Sequence, residues 1–476
     1  MADLSGADLS GADLSGLIGE LGDVPVVTDP GRILQKSRDF YWYSPVLKRQ
    51  LEGARADLVV EARDEADVIR TLRACYKKRV PVTVRGGGSG NYGQAMPLKR
   101  GVVLDLGRLD KIVDVGLGRV RAQAGCKLFR IDQACQEDSG QELRFHPSTW
   151  RMGTIGGFVA GGSSGVGSIT YGTLRDRGSI LGVRVVTMEA KPRVVELRGD
   201  AIQKVNHAYG TNGVITEVEM PLAPAHAWVD LMVGFEDLAQ ALRFCDALAR
   251  EDALTKKLVT TLAAPIAERY FRPLKSRIPD GTNAVLLMIA EPWMDFFRDF
   301  AKAWSGNVLL ERAASDTRRK GLPIFELSWN HTTLHALRID PSITYLQVLY
   351  PPPAHVELTL RMHRYFGEEV MIHVEFVRFE GQIACFGLPI VQFTTENRLD
   401  EIIQFHEENG CPIFNPHAFT LEEGGMKQVD RTHLAFKRDA DPRGLLNPGK
   451  MIGWDNPDYA DMSRQSYLYR SLEAAR

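Results

Sequence analysis

The hydrophobic positions change period along the chain, and each change predicts an element. Asp57–Glu61, Val80–Val84 and Val102–Leu106 are short aliphatic and β-branched runs, which read as buried strands. Between the first two, Asp64–Lys78 sets Ala66, Ile69, Leu72 and Cys75 at helical spacing behind an acidic first turn that suits the helix dipole. Val113–Val115 and Arg119–Ala124 read as a hairpin, Leu128–Asp138 as a helix and Val214–Met220 as a strand. From His226 the texture becomes strand and helix in alternation. Trp228–Phe235, Asn283–Ile289, Val308–Glu311 and Thr344–Tyr350 read as strands, and Glu236–Arg250, Pro292–Trp304, Ala354–Phe366 and Glu396–Asn409 as helices. Glu369–Phe379 and Gln382–Gln392 read as an antiparallel pair. This second half predicts an α+β domain whose antiparallel sheet carries helices on one face.

Composition narrows the class without naming it. The chain of 476 residues is long enough for two or three domains, and its net charge of −2 gives no electrostatic case for nucleic acid or an anionic membrane. No apolar run approaches the ~18 residues of a membrane span, and the N-terminus lacks a signal-peptide layout. Cysteines at 75, 126, 135, 245, 385 and 411 form no C-x-x-C, which argues against a disulfide framework or a zinc site and for a reducing, cytoplasmic setting. At the N-terminus Ala2–Gly6 repeats unchanged as Ala7–Gly11 and Ala12–Gly16. Three such units are too few to bury a core of their own, so residues 1–16 read as a pentapeptide-like tail, mobile or used for docking.

Two glycine-rich stretches carry the candidate chemistry. "VRGGGSGNYGQAMP" (84–97) holds five glycines within residues 86–93 directly after a strand. Gly88–Gly93 spells G-x-G-x-x-G, yet Pro97 and Gly101 leave no room for the helix that a dinucleotide fingerprint must open. An NAD(P) dehydrogenase is therefore the weaker reading. Clustered backbone N–H groups around an anion need no such helix. The second stretch, His146–Gly172, holds eight glycines between 153 and 172, and a third turn, Tyr209–Gly213, runs into the next strand. Together they suggest one extended ligand traced by backbone.

Four segments in order, "VRGGGSGNYG", "TIGGFVAGGSSGVGSITYGTLRD", "GTNGVITEVEMPL" and "DPRGLLNPGKM", resemble the vanillyl-alcohol oxidase / p-cresol methylhydroxylase flavoprotein family. The resemblance implies an α+β fold: a two-subdomain FAD-binding domain over 17–225, a cap with an antiparallel sheet over 226–420, and a closing segment, 421–476, that returns to the FAD domain. It implies that Gly86, Gly87, Gly88, Ser89, Gly90 and Asn91 wrap the FAD diphosphate. Pro147, Ser148, Gly153, Thr154, Gly156, Gly157, Gly162, Ser163, Ser164 and Gly165 would follow the ribityl chain and ring, with Ile215 at the adenine end. Gly93 and Gly167 serve turn geometry, and Asn447-Pro448-Gly449 a structural role. Relatives with a histidyl linkage carry a histidine four residues after the arginine; Ser89 stands there, and no cysteine lies between Cys135 and Cys245. Linkage through those two positions is excluded and non-covalent FAD is expected; a tether from a cap histidine or tyrosine stays open. The H-x-G-D-G-N-x-H metal motif of D-lactate-dehydrogenase-like relatives is absent, so no metal is expected and the case for a 2-hydroxy-acid substrate is weakened, though not removed.

The resemblance implies hydride transfer from a small alcohol, hydroxy acid or related substrate to flavin N5, with reoxidation by O₂ or another acceptor, in a monomer or homo-oligomer. A proton acceptor is often needed beside the substrate hydroxyl. Strand alternation places Met371, His373, Glu375 and Val377 on one face of Glu369–Phe379 and apolar residues on the other, so His373 and Glu375 are candidates. His417, in the turn-like "FNPHAF" between cap and tail, is the third. His331, His335, His355, His363 and His406 read as surface or packing groups. A non-catalytic flavin-fold scaffold is the alternative from another class.

Overall fold

The computed structural model describes residues 11–313, 321–424, 429 and 431–456. The first half builds two small sheets. Leu58–Glu61, Val102–Asp105 and Val82–Arg85 lie parallel in that spatial order, with the two-residue strand Val26–Val27 antiparallel on the outer edge. Helix Glu65–Lys78 makes the crossover. Asp64 caps its first turn by accepting from the Asp67 amide, and it buries Val68, Leu72 and Cys75. The second sheet is antiparallel, in the order Ile112–Gly116, Arg119–Gln123, Val214–Pro224, Gly182–Val186 and Val194–Leu197, with Gln141–Leu143 pairing the far end of Val214–Pro224. One apolar core joins both sheets.

Helix Gly11–Leu21 corrects the reading of the tail. The third five-residue repeat lies in this helix, and Leu17 and Leu21 are buried against the Leu72–Cys75 side of the first core. A strict period of five suits a coil of short strands. Here Leu14, Leu17, Ile18 and Leu21 supply a helical stripe that extends beyond the repeat. Residues 1–10 lie outside those described.

The second half is a seven-stranded antiparallel sheet. Its order is Asn307–Ala313, Trp228–Phe235, Asn283–Ala290, Lys256–Leu262, His373–Phe379, Gln382–Gly387 and Val348–Tyr350. Helices Leu238–Arg250, Met294–Ala303, His355–Phe366 and Glu396–Glu408 cover one face. Short segments, including the 3₁₀ turn Ile324–Leu327 and helix Asn330–Leu337, cover the other, on the side of the first domain. Strand Lys256–Leu262 was not anticipated. Two lysines open it, yet both are buried: Lys256 Nζ donates to the carbonyls of Glu251 and Leu254, and Lys257 pairs with Glu142. Thr344–Tyr350 is two strands rather than one. Ile343–Tyr345 pairs with Ile390–Gln392 in a separate three-stranded sheet, and Val348–Tyr350 returns to the large one. The facing strands break at the same level, between Met371 and His373 and at Leu388-Pro389, where the proline removes a ladder donor.

The closing segment comes back to the first domain. The Val82 amide donates to Leu445 O and the Asn447 amide to Val82 O, both at 2.8 Å. Asn447 Nδ2 donates to the carbonyls of Gln94 and Tyr209, tying the first glycine loop to the third turn.

Candidate active site between the two domains

A cavity lies between the glycine loops and the far face of the cap sheet. One wall is Gly86–Asn91. A second is Pro147–Thr149 with Gly153–Ser164 in part, and the floor includes Tyr209, Gly213 and Ile215. The cap supplies the roof through Trp329, Asn330, His331, Gln347, Val348, Phe386, Leu388 and Phe414, and Tyr43 comes from the N-terminal segment.

The two glycine loops are interlocked. A Cβ on Gly86 would stand 2.3 Å from Thr154 Oγ1, and one on Gly87 2.2 Å from Met152 O. Gly88 has φ +62°, and its Cβ would meet the Arg85 guanidinium. Gly86 and Gly87 therefore let one loop touch the other. Thr154 also caps helix Ile155–Gly161 by accepting from the Gly157 amide. The amides of Gly86, Gly87, Gly88, Ser89, Gly90 and Asn91 donate to no acceptor among the described residues. A run of unpaired N–H groups on a cavity wall fits a diphosphate, which offers acceptors to several at once. The residues present thus fit FAD.

Sixteen of the seventeen residues expected to hold the cofactor line this cavity. Gly165 does not. It sits one layer back, where a Cβ would be 2.1 Å from His146 O, and its amide donates to Ser168 Oγ. Gly93 and Gly167, at φ +69° and +106°, hold turns.

The three candidate bases stand behind the wall. His417 is buried between Ser44 Oγ at 2.7 Å and Tyr345 O at 2.9 Å, and burial pushes its imidazole down to about 4. It ties the N-terminal segment to the cap. His373 and Glu375 do share a strand face, and they bond each other at 2.9 Å, but neither reaches the cavity. The turn Ser328–His331 lies over them, a layer that strand periodicity cannot foresee. His331, assigned to surface or packing, is the histidine on the roof. Its Nδ1 lies 2.6 Å from Glu326 Oε2. The segment "ELSWNH" carries no motif, and only the topology brings it over the glycine loops.

Buried polar groups brace the wall. His146 packs against Trp150 and edge-on against Phe325, and burial, then the nearby Lys257, push it down to about 3. Lys450 Nζ donates to Gly93 O at 2.6 Å, and Asp39 accepts from the Tyr41 and Ala95 amides. Burial lowers the lysine and raises the carboxyl. Among the described residues no group of three or more His, Cys, Asp or Glu is placed to hold a metal ion, and no helix is long and apolar enough to cross a membrane.

Comparison with known proteins agrees with this geometry. Residues 56–197 match the model of an FAD binding domain. The chain is 32% identical to the glycolate oxidase subunit GlcD of Escherichia coli K12 over 432 residues, 83% of each chain. A D-lactate dehydrogenase of Anaerostipes hadrus matches at 27% over 203 residues, 40% of this chain and 41% of that protein. Among solved structures, an alkyldihydroxyacetonephosphate synthase shares the fold with a TM-score of 0.68 and 16% identity, covering 91% of this chain and 85% of that one.

Proposed function

The chain belongs to the vanillyl-alcohol oxidase / p-cresol methylhydroxylase family of FAD-dependent oxidoreductases, which act on CH–OH donors, and within it we propose that this enzyme oxidises a small 2-hydroxy acid. The names of the relatives support that class of substrate. FAD, when bound, supplies the acceptor for the hydride that leaves the hydroxyl-bearing carbon. Everything else falls to the protein. The free amides of Gly86–Asn91 hold the diphosphate, and Pro147, Ser148, Gly153, Thr154 and Gly162–Ser164 line the path of the rest. Ser89 occupies the position of the linking histidine, so the cofactor has no covalent bond there. Reoxidation is by O₂ or another acceptor.

His331 is the observation that carries the mechanism. Glu326 takes the Nδ1 side of the ring, which leaves Nε2 as the acceptor for the substrate hydroxyl proton. A carboxylate in that place also stabilises the imidazolium that forms. A second reading rests on the roof, where Trp329, Phe386, Leu388 and Phe414 present apolar surface: the donor is an uncharged hydroxy compound with an aromatic or branched group.

The test is a visible spectrum of the purified protein, acid precipitation, and a donor screen. Flavin bands that move to the supernatant support free FAD; yellow in the pellet overturns it. Bleaching by lactate or glycolate supports the hydroxy-acid reading, and bleaching by benzyl alcohol alone favours the second. His331→Asn is expected to lower kcat by about 100-fold with FAD retained; unchanged turnover would remove His331 from the mechanism.

A further inference from the structure

The turn that carries His331 is held in an unfavourable conformation by a buried carboxylate. Trp329 has φ +50° and ψ −145°, a region that residues with a side chain rarely enter. It opens helix Asn330–Leu337, and the His331 and Thr332 amides donate to Ser328 O and Trp329 O. The direction taken at Trp329 therefore sets where Asn330 and His331 stand on the cavity wall.

The Trp329 amide donates to Glu375 Oε1 at 2.6 Å. The same oxygen faces His373 Nε2 at 2.9 Å, and Oε2 accepts from Thr260 Oγ1. Glu375 is 1% exposed and His373 0%. His373 Nε2 and Thr260 Oγ1 are the side-chain partners of this carboxylate among the described residues. Thr260 and Glu375 face each other across the central strand pair of the cap sheet, so the acceptor rests on rigid backbone. An acceptor oxygen held from its other sides by His373 and Thr260 is suited to holding a disfavoured turn.

We infer that Glu375, set by His373 and Thr260, is a positioning residue: it holds the Trp329 turn so that His331 and Asn330 face the substrate. The inference deepens the role given to His331 and rests on it. Glu375 touches neither substrate nor cofactor and acts through one backbone amide. The device needs reach and an acceptor oxygen more than it needs charge. A shorter carboxylate keeps the charge and loses the amide; a carboxamide keeps the reach and loses the charge.

The experiment compares Glu375→Asp and Glu375→Gln in the holoenzyme. The readouts are kcat and KM for the best donor, FAD content, and amide hydrogen exchange of the peptide spanning Phe325–Leu337. Glu375→Asp is expected to lower kcat by about 100-fold, the scale of a misplaced reacting group, with smaller change in KM. Exchange at Trp329–His331 should rise while FAD content holds. Glu375→Gln, which keeps an acceptor oxygen in place, should recover most of kcat and of the protection. Unchanged kcat and exchange in Glu375→Asp would overturn the inference. So would a loss of kcat that follows lost FAD with exchange at the turn unaltered. If His331→Asn keeps full turnover while Glu375→Asp loses both protection and turnover, the proton-acceptor reading fails and the positioning role stands, acting on Asn330. If Glu375→Gln is folded and fails as badly as Glu375→Asp, reach is not what matters and the inference fails.

Discussion

His417 shows how a histidine can sit beside an active site and serve it only as a brace. It spends both ring nitrogens on Ser44 and Tyr345 and is neutral at pH 7. In the unfolded chain it titrates near its ordinary value of ~6.5. Between that value and about 4 the unfolded state therefore binds more protons than the folded one. The stability that neutral His417 contributes is present above pH ~6.5 and is lost as pH falls toward 4, on the order of 3 kcal/mol at about 1.4 kcal/mol per unit. His417→Gln, whose amide can bond both partners, should flatten the fall in Tm between pH 6.5 and 4 while leaving kcat within about threefold at pH 7.5. Thermal unfolding of both proteins across that range would check it, and a kcat loss like that of His331→Asn would return His417 to the chemistry. At this scale the sequence was half legible. Period-two alternation put His373 and Glu375 on the correct face, since a strand side chain must go one way or the other. It could not say that Trp329 would arrive over them from 46 residues earlier in the chain.

Among the elements, the glycine loops were the most legible and held a second meaning. Their count pointed to a ligand approached by backbone, and their residues line the cavity. Two of their glycines, Gly86 and Gly87, nonetheless serve the close approach of the loops to each other. Gly87→Ala would drive a methyl to 2.2 Å from Met152 O. Backbone cannot give way as a long side chain can, so the variant should lose about 1–3 kcal/mol of stability, the usual cost of overpacking. FAD affinity should fall with it as the two walls part. Denaturant unfolding and titration of FAD into the apoprotein measure the two losses separately. The strands were read well where burial meant apolar residues and poorly where it did not. Lys256 and Lys257 look like a solvent-facing pair, yet their ammonium groups find carbonyls and a carboxylate inside the protein. Pattern reading assumes that lysines face water, and here each one is paired instead.

For the whole molecule, the question is what holds cap and FAD domain in register across the cavity. Lys257, on the cap sheet, meets Glu142, on strand Gln141–Leu143, at 2.9 Å, with both side chains under 5% exposed. Trp228 Nε1 donates to the same carboxylate. Removing one partner leaves a buried charge, so Lys257→Met should cost about 3–5 kcal/mol, and adding Glu142→Gln should recover part of it. Calorimetry should show the single variant splitting or lowering the transition and the double variant partly restoring it. FAD that binds the folded protein alone should raise Tm further, by the equivalent of about 2.7 kcal/mol at a hundredfold excess over Kd. Glycine-rich and βα textures differ plainly on either side of His226. One other long-range link was not legible in the sequence. Val82, in the first parallel sheet, exchanges backbone hydrogen bonds with Leu445 and Asn447. During synthesis that strand edge must wait for some 360 further residues, on the order of 20–70 s at ordinary ribosome speeds. Until then the nascent FAD domain offers an open β edge and an unfastened glycine loop. Its hazard is thus one of timing: capture of a flavin, escape from aggregation and escape from proteolysis all turn on a stretch made about 360 residues later.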